Sequence, residues 1–378
     1  MHRLMAGGTI LEHELSELRL LVERQTGILL DCPNSALAAH VAEYLERQEL
    51  ESAASLIGRL RAAPLDPSAL PTFLDGVLNV NTGFFRHPGA MNALARQVIP
   101  QLYARKSEDG LGRLRIWSAG CSSGEEAYSI AMALGEALPG GNGNGNGNGS
   151  GIGSGGRELK EKNAGRNGGI AENGVLASLG PSLKDWSIHI VGSDLLPSAI
   201  AVAERGLYPQ SALTGLPPAA IRASFSKIGS PNGIEPVSPE GSQNSVRNGS
   251  RNGSGDASGN GTNGANGTNG ANRTSHGAHL LVKPRLRSLV SFNTMNLTKP
   301  VYIGRFDCIF CMDVLPHLSR PQRTALLERL HLYLEPGGYL FLSQTEKLCA
   351  PNLNFRAETF DGYTFHRKPL AASAAYGR

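Results

Sequence analysis

A chain of 378 residues, 40% of them hydrophobic, is long enough for two domains and rich enough in apolar residues for a real core. A net charge of +4 with no basic block excludes a nucleic-acid binder, and no apolar run approaches the roughly 20 residues of a membrane span. No signal peptide is evident at the N-terminus, so a soluble, cytoplasmic protein without membrane insertion is expected.

Residues 11–80 read as helices. Leu15, Leu18, Leu21 and Val22 recur at helical spacing, as do Leu37, Val41, Tyr44 and Leu45. Gly27 and the Asp31-Cys32-Pro33-Asn34 cluster break the first pair, and Leu56, Ile57 and Leu60 mark a third helix. After Pro64, Pro67 and Pro71 comes Phe73-Leu74-Asp75-Gly76-Val77-Leu78. These segments predict a small all-helical packing or docking module with no chemistry of its own. The loop that follows, Thr82-Gly83-Phe84-Phe85-Arg86-His87-Pro88, is unusual in setting an arginine directly after two aromatics. Residues 90–102 read as a further helix.

Residues 114–132 organise the rest. Leu114-Arg115-Ile116-Trp117 is a short apolar strand, Ser118-Ala119-Gly120-Cys121-Ser122-Ser123-Gly124 a turn of small residues, and a helix then opens on Glu125-Glu126. A strand, a small-residue turn and a helix form the nucleotide-site unit of a doubly wound α/β sheet. Small residues admit a close backbone approach, and the helix start offers unpaired N–H groups. Two carboxylates at that start suit the helix dipole but repel a phosphate. The ligand expected is a nucleoside with a cationic part, which S-adenosylmethionine fits.

Residues 139–179 and 229–277 are tracts of Gly, Asn and Ser. They hold too little apolar surface to offset ordering entropy and read as flexible surface loops. Without them 288 residues remain, a sensible two-domain size. Ile188-His189-Ile190-Val191 is the second strand and ends in Gly192-Ser193-Asp194, where such folds bind ribose hydroxyls or cap the next helix. Residues 197–205 are helical, stopped by Gly206. Strands follow at 289–292, leading to Asn296-Leu297, and at 306–311, leading to Met312-Asp313-Val314. Residues 319–334 form an amphipathic helix, Glu335-Pro336-Gly337-Gly338 a stop, residues 339–342 a strand, and 355–367 a closing strand pair. The alternation predicts a mostly parallel sheet whose ligand lies at the carboxyl strand ends, where residues 118–124, Asp194, Asn296 and Asp313 converge. Five cysteines, Cys32, Cys121, Cys308, Cys311 and Cys349, make no disulfide framework. Cys308 and Cys311 sit three apart on one strand and face opposite ways, so core packing is expected there and no metal.

Taken in order, these segments resemble the chemotaxis-receptor methyltransferases of the CheR type. Thr82-Gly83-Phe84-Phe85-Arg86 looks like that family's T-x-F-F-R loop, and residues 117–132 look like its W-S-A-x-x-S-T-G-E-E-x-Y-S-x-A-M segment. Gly192-Ser193-Asp194, Asn296-Leu297, residues 306–314 and Pro336-Gly337-Gly338-Tyr339-Leu340-Phe341 match further family positions. The resemblance implies a class I methyltransferase domain over 89–370, interrupted by 139–179 and 229–277, after an N-terminal helical domain and inter-domain loop over 1–88, with a tail at 371–378. It implies S-adenosylmethionine as cofactor, S-adenosylhomocysteine as product, and glutamate carboxylates of a chemoreceptor-like protein as methyl acceptors. Carried over by residue, Glu126 holds the cationic amino-acid end, Asp194 the ribose, and Ala119 belongs to the same cofactor segment. Asn296, Leu297, Asp313 and Val314 flank the adenine and sulfur side, and Thr82 and Arg86 close the site, with Arg86 orienting the acceptor carboxylate. Several positions depart from the family pattern. Met312-Asp313 stands in place of Arg-Asn, His317 takes the place of a catalytic-side Tyr, and Val80 replaces an Asn. The early helix at 36–47, strongly basic in the family, carries only His40 and Arg47 against Glu43 and Glu46. Alternatives that keep the fold are a cofactor-binding regulatory or scaffold protein with little catalysis, and a methyltransferase for another carboxylate.

Overall fold

The computed structural model describes residues 10–62, 68–78, 82–108, 110, 112–134, 186–227, 279–300, 303–348, 350 and 352–370. Both Gly- and Asn-rich tracts, Asn79, Val80, Asn81, Cys349 and the tail lie outside them, and so do the expectations placed on those segments.

Four helices come first: α1 (Glu12–Thr26), α2 (Asn34–Arg47), α3 (Ala53–Arg61) and α4 (Ala69–Val77). Their apolar stripes meet in one core that includes Leu18, Val22, Leu37, Val41, Tyr44, Leu56, Leu60, Phe73 and Leu74. Gly27 ends α1 in the left-handed region at φ 77°, and its N–H reaches the Glu23 carbonyl. His40, read from the sequence as part of the α2 charge pattern, is buried instead. Its Nε2 donates to the Phe73 carbonyl at 2.9 Å, and a side chain at Gly76 would collide with its ring at 2.1 Å. Burial lowers its pKa. The outer face of α2 therefore keeps one arginine, Arg47, which pairs with Glu43 at 3.6 Å.

A helical stretch from α5 (Pro88–Ala93) to α6 (Ile99–Glu108), joined by a π-helical turn, leads into β1 (Arg113–Ala119) and α7 (Glu125–Leu134). Next come β2 (Ser187–Asp194), α8 (Pro197–Arg205), β3 (Leu207–Pro209), α9 (Pro218–Ser224) and β4 (Phe225–Lys227). After the second tract the chain forms β5 (His279–Val282), α10 (Pro284–Arg287), β6 (Val290–Thr294), β7 (Phe306–Phe310), α11 (Arg320–Tyr333), β8 (Leu334–Phe341), β9 (Arg356–Phe360) and β10 (Tyr363–Arg367). The main sheet has seven strands in the order β6-β2-β1-β7-β8-β10-β9. β6 to β8 run parallel, and β10 is antiparallel to both β8 and β9. The sheet is doubly wound and mostly parallel, as the sequence leads one to expect of a class I methyltransferase domain, with the N-terminal helices beside it.

One local reading changes. Glu335-Pro336-Gly337-Gly338 does not stop a helix ahead of a strand; it lies inside β8. Phe306 pairs with Leu334 and Cys308 with Tyr339, so the extra residues are taken up as a bulge, with Gly337 at φ 75°. A second, small antiparallel sheet has the order β3-β5-β4, and the second tract falls between β4 and β5 in the sequence.

The strand order reverses between β1 and β7, which is where a crevice opens in such sheets. The N-terminal helices close over that crevice. Leu29 N–H donates to the His317 carbonyl at 2.8 Å, Ile28 and Leu318 form an antiparallel bridge, and Thr298 Oγ1 donates to the Thr26 carbonyl at 2.8 Å. Leu196 and Ala199, at the start of α8, join the helical core.

Candidate functional site

Between the helical region and the strand ends lies a cavity of about 620 Å³. That is within the range of small-molecule sites, roughly 300–1,000 Å³. Of the residues expected at the site, Thr82, Arg86, Glu126, Asp194, Asn296, Leu297, Asp313, Val314 and His317 all line it. Ala119 does not. Its side chain points to the opposite face of β1 and is fully buried in the cluster that holds Trp117 and Phe306. The cavity is met one residue later by Gly120, Cys121 and Ser122. Gly120 has φ 89°, and a Cβ there would sit 2.5 Å from Val314 Cγ2, so only glycine lets the β1 turn pass this close to the β7 turn.

The floor is acidic. Ser118 Oγ donates to Glu126 Oε1 at 2.6 Å from the end of β1. Glu126 keeps part of its surface open to the cavity, yet protein encloses it. That burial raises its pKa to about 7 despite the Ser118 bond, and the charges of Asp313 and Glu346 add to the rise. Asp194 ends β2 and accepts from Ser122 N–H at 2.9 Å through one oxygen and from Leu196 N–H at 3.0 Å through the other. Its pKa is also raised, by burial ahead of the opposing backbone hydrogen bonds. It thus fixes the β1 turn and the chain just ahead of α8, whose own N-cap, Leu196, has no side-chain cap bond, and it lines the cavity. Asn296 Oδ1 accepts from Thr298 N–H and Oγ1, at 2.9 and 2.8 Å, which turns the chain after β6.

The opposite wall hangs on the loop at 82–87. Phe84 packs edge-on against Tyr208 and Phe225 of the small sheet, with ring centroids 4.9 and 5.3 Å away. Phe85, at φ 51°, donates its N–H to Ser129 Oγ at 2.9 Å, and Thr82 hydrogen-bonds the buried Glu125 carboxylate. So anchored, the loop delivers Arg86 and His87 to Asp313. Arg86 Nε lies 3.1 Å and His87 Nε2 2.9 Å from the same oxygen, Oδ2. Asp313, which the resemblance places on the adenine and sulfur side, turns its carboxylate to Arg86 and His87. Partial burial pushes the Asp313 pKa up. Hydrogen bonds from Ser343 and His87 and the charges of His87 and Arg86 outweigh that, and the net shift is downward.

Sequence reading missed four residues. His87 has no signal of its own in the loop at 82–88. Ser118 and Ser129 lay inside a recognised segment without a role. Glu346 was unnoticed, yet it accepts from Asp313 N–H at 3.1 Å, Leu315 N–H at 2.8 Å, Ser343 N–H at 2.8 Å and Ser343 Oγ at 2.9 Å. The Ser-x-x-Glu spacing of Ser343 and Glu346 is that of a capping box and was the available signal.

The lining fits a cationic nucleoside. Among the described residues it presents four carboxylates, Asp31, Glu126, Asp194 and Asp313, against one arginine and no lysine. A buried hydroxyl at this turn, Ser122 Oγ, has no hydrogen-bond partner among the described residues. Glu126 and Asp194 would hold the cofactor's ammonium and ribose, and the apolar Leu195, Leu196, Met295 and Leu297 would cover its base. Cys308 and Cys311 are both buried and unbridged, and no group of His, Cys, Asp or Glu among the described residues is placed to hold a metal. None of the described helices is long and apolar enough to cross a membrane.

The chain matches the family model "CheR methyltransferase, SAM binding domain" over residues 80–145 and 270–363. It is 26% identical over 354 residues to chemotaxis protein methyltransferase 1 of Pseudomonas aeruginosa, covering 90% of this chain and 96% of that one. Chemotaxis protein methyltransferase Cher2 of Pseudomonas putida is 24% identical, with 91% and 98% covered. Chemotaxis protein methyltransferase 1 of Vibrio cholerae is 23% identical, with 91% and 92% covered. The match to magnesium protoporphyrin IX methyltransferase from Synechocystis PCC 6803 with bound SAM has a TM-score of 0.27 at 12% identity, covering 76% and 84% of the two chains; the fold assignment rests on the sheet order instead. That sheet, that cavity and these relatives support a divergent member of the CheR family of S-adenosylmethionine-dependent methyltransferases.

Proposed function

We propose that this protein methylates glutamate side-chain carboxylates on the cytoplasmic part of a chemoreceptor or receptor-like protein. The observation that carries the reading is Arg86, the one arginine lining an otherwise acidic cavity, held there by the anchored loop at 82–87. Its guanidinium offers a planar fork suited to a carboxylate. S-adenosylmethionine, when bound, supplies a methyl group activated on a sulfonium. Glu126 and Asp194 bind and orient it. Arg86 orients the incoming glutamate, which is ionised at neutral pH with a reference pKa near about 4.3, so no residue has to remove a proton. Leu29, Leu30 and Pro33 of the helical region cover the crevice and exclude water. His317 lines the same wall, with its carbonyl fixed by Leu29 N–H. The names of the relatives, chemotaxis protein methyltransferases, support a receptor as the acceptor.

The test is transfer of a radiolabelled methyl group to a purified chemoreceptor cytoplasmic fragment, read as alkali-labile ester. Arg86→Ala should lower transfer by about 100-fold or more while cofactor affinity holds. Absence of ester with wild-type protein that binds the cofactor would sink the reading. A second reading, a cofactor-binding regulator with little catalysis, draws its support from the Arg86–Asp313 pair, because the arginine meant for the acceptor is already engaged by a carboxylate.

A further inference from the structure

Asp313 stands where an acceptor carboxylate is wanted. Its Oδ2 takes both Arg86 Nε at 3.1 Å and His87 Nε2 at 2.9 Å. Its backbone is fixed. It sits at φ 58°, in the left-handed region, and Glu346 grips the N–H groups of Asp313 and Leu315. The anion therefore stays beside Arg86 when an acceptor arrives. A lone glutamate would have to share Arg86 with a fixed like charge. The pair is nevertheless open to solvent, with Arg86 39% and Asp313 36% exposed, so a cation on an incoming protein can reach Asp313.

Resting on the carboxylate-acceptor reading above, we propose that the site selects a glutamate that carries a lysine or arginine one helical turn away. The acceptor's cation pairs with Asp313 and its glutamate takes Arg86, so the protein's Arg86–Asp313 pair and the acceptor's own intrahelical pair are exchanged for two pairs across the interface. Residues three or four apart on a helix have Cβ atoms about 5–6 Å apart, which suits two adjacent pairs. Each charge then meets an opposite one, and an acceptor lacking the cation leaves two carboxylates contending for one guanidinium. Discrimination of this kind comes from the repulsive element as much as from the attractive one. Asp313 is thus a specificity-determining residue, and the substrate class is a helix bearing Glu and Lys or Arg at i and i+3 or i+4.

The experiment uses the full chain saturated with S-adenosylhomocysteine and two helical peptides, identical except that one carries Glu-x-x-x-Lys and the other Glu-x-x-x-Gln. Binding is read by calorimetry, and methyl transfer is then read with S-adenosylmethionine. Wild type should prefer the lysine peptide by about tenfold, equivalent to about 1.4 kcal/mol. In Asp313→Asn the preference should shrink to within about twofold, because the glutamine peptide gains; Asn tolerates the left-handed conformation, so the backbone is kept. Equal binding of both peptides by wild type, or a preference that survives in Asp313→Asn, overturns the proposal. Failure of both proteins to bind or methylate either peptide, with S-adenosylhomocysteine bound normally, overturns the carboxylate reading itself and the proposal with it.

Discussion

The two walls of the cavity are built by different means. The acidic wall hangs from strand ends: Ser118 and Glu126 are joined across the β1 turn, and Asp194 ties that turn to α8, over separations short in space and set by the sheet. The Arg86 wall is assembled from loops that meet across more than two hundred residues of sequence, with Arg86 and His87 on one loop and Asp313 on another. The first is preorganised by backbone pairing. The second is held by exposed charges and two tethers, Ser129 and Glu346. On the proposed function, the cofactor would be met by the wall built on backbone pairing and the acceptor by an arrangement of side chains that can exchange partners.

The largest effect expected is on the rigid wall. Glu126→Gln keeps the shape and a hydrogen bond to Ser118 but removes the charge that faces the cofactor's ammonium. Removing one partner of such a desolvated pair costs about 2–5 kcal/mol, so S-adenosylhomocysteine affinity by calorimetry should fall by about 100-fold. The pH dependence sharpens this. The Glu126 pKa in the ligand-free protein is raised to about 7, so the carboxyl is protonated below that pH and must ionise to take a cation. Wild-type affinity should climb with pH up to about 7 and flatten above it, whereas Glu126→Gln should show no such rise. Stability runs the other way. A carboxyl whose folded pKa lies above its unfolded value of 4.5 binds more protons in the native state, so ligand-free protein loses stability as pH rises from 4.5 to about 7. Glu126→Gln should therefore melt higher than wild type at pH 8 in the absence of cofactor, and a lower melting point would show that the burial argument is wrong.

Glu346→Ala attacks the loop-built wall. It strips the acceptor from two backbone N–H groups at 313–315 and from Ser343. A loss of about 2–3 kcal/mol is expected, measured by denaturant unfolding, because several donors are orphaned at once. Methyl transfer should fall more than cofactor affinity, since Asp313 and Arg86 lose their common reference. Glu346→Gln, which keeps one acceptor oxygen, should lie between. Equal losses in transfer and in cofactor affinity would mean that the two walls are not separable.

The same contrast explains what the sequence could reveal. The rigid wall was legible because local chemistry specifies it: small residues at 118–124, an acid at the end of β2 and a helix opening on glutamates all follow from strand-turn-helix geometry. Even there the register slipped by one side chain at Ala119, because alternation on β1 decides which face a residue takes and no single residue fixes that phase. Asn296 and Asp313 could be placed at strand ends, but not the direction in which Asp313 turns, since that depends on φ 58° and on partners 226 and 227 residues away. The role of Glu346 is hidden for the same reason. Its partners at 313 and 315 come near only once β7 and β8 pair. The burial of His40 was likewise hidden, because it depends on Gly76 and Phe73 of α4 closing over α2.

The smallest effect expected tests whether the loop at 82–87 is what aims Arg86. Ser129 is fully buried on α7, accepts from Phe85 N–H at 2.9 Å and donates to the Glu125 carbonyl at 2.6 Å. Phe85 occupies a left-handed conformation that this bond helps to hold. Ser129→Ala removes one hydrogen-bond acceptor without adding bulk, so about 1 kcal/mol of stability should be lost. For a protein of this size that is a melting-point drop of about 2–4 °C. Cofactor affinity should stay within about twofold, because Glu126 and Asp194 have no hydrogen bond to Ser129 among those seen here. Transfer to an acceptor should fall several-fold through a higher KM, as Arg86 and His87 lose the tether directly before them. If transfer is untouched while stability drops as expected, the Phe84 packing against Tyr208 and Phe225 must by itself set the position of Arg86, and the small antiparallel sheet becomes the true foundation of the acceptor wall.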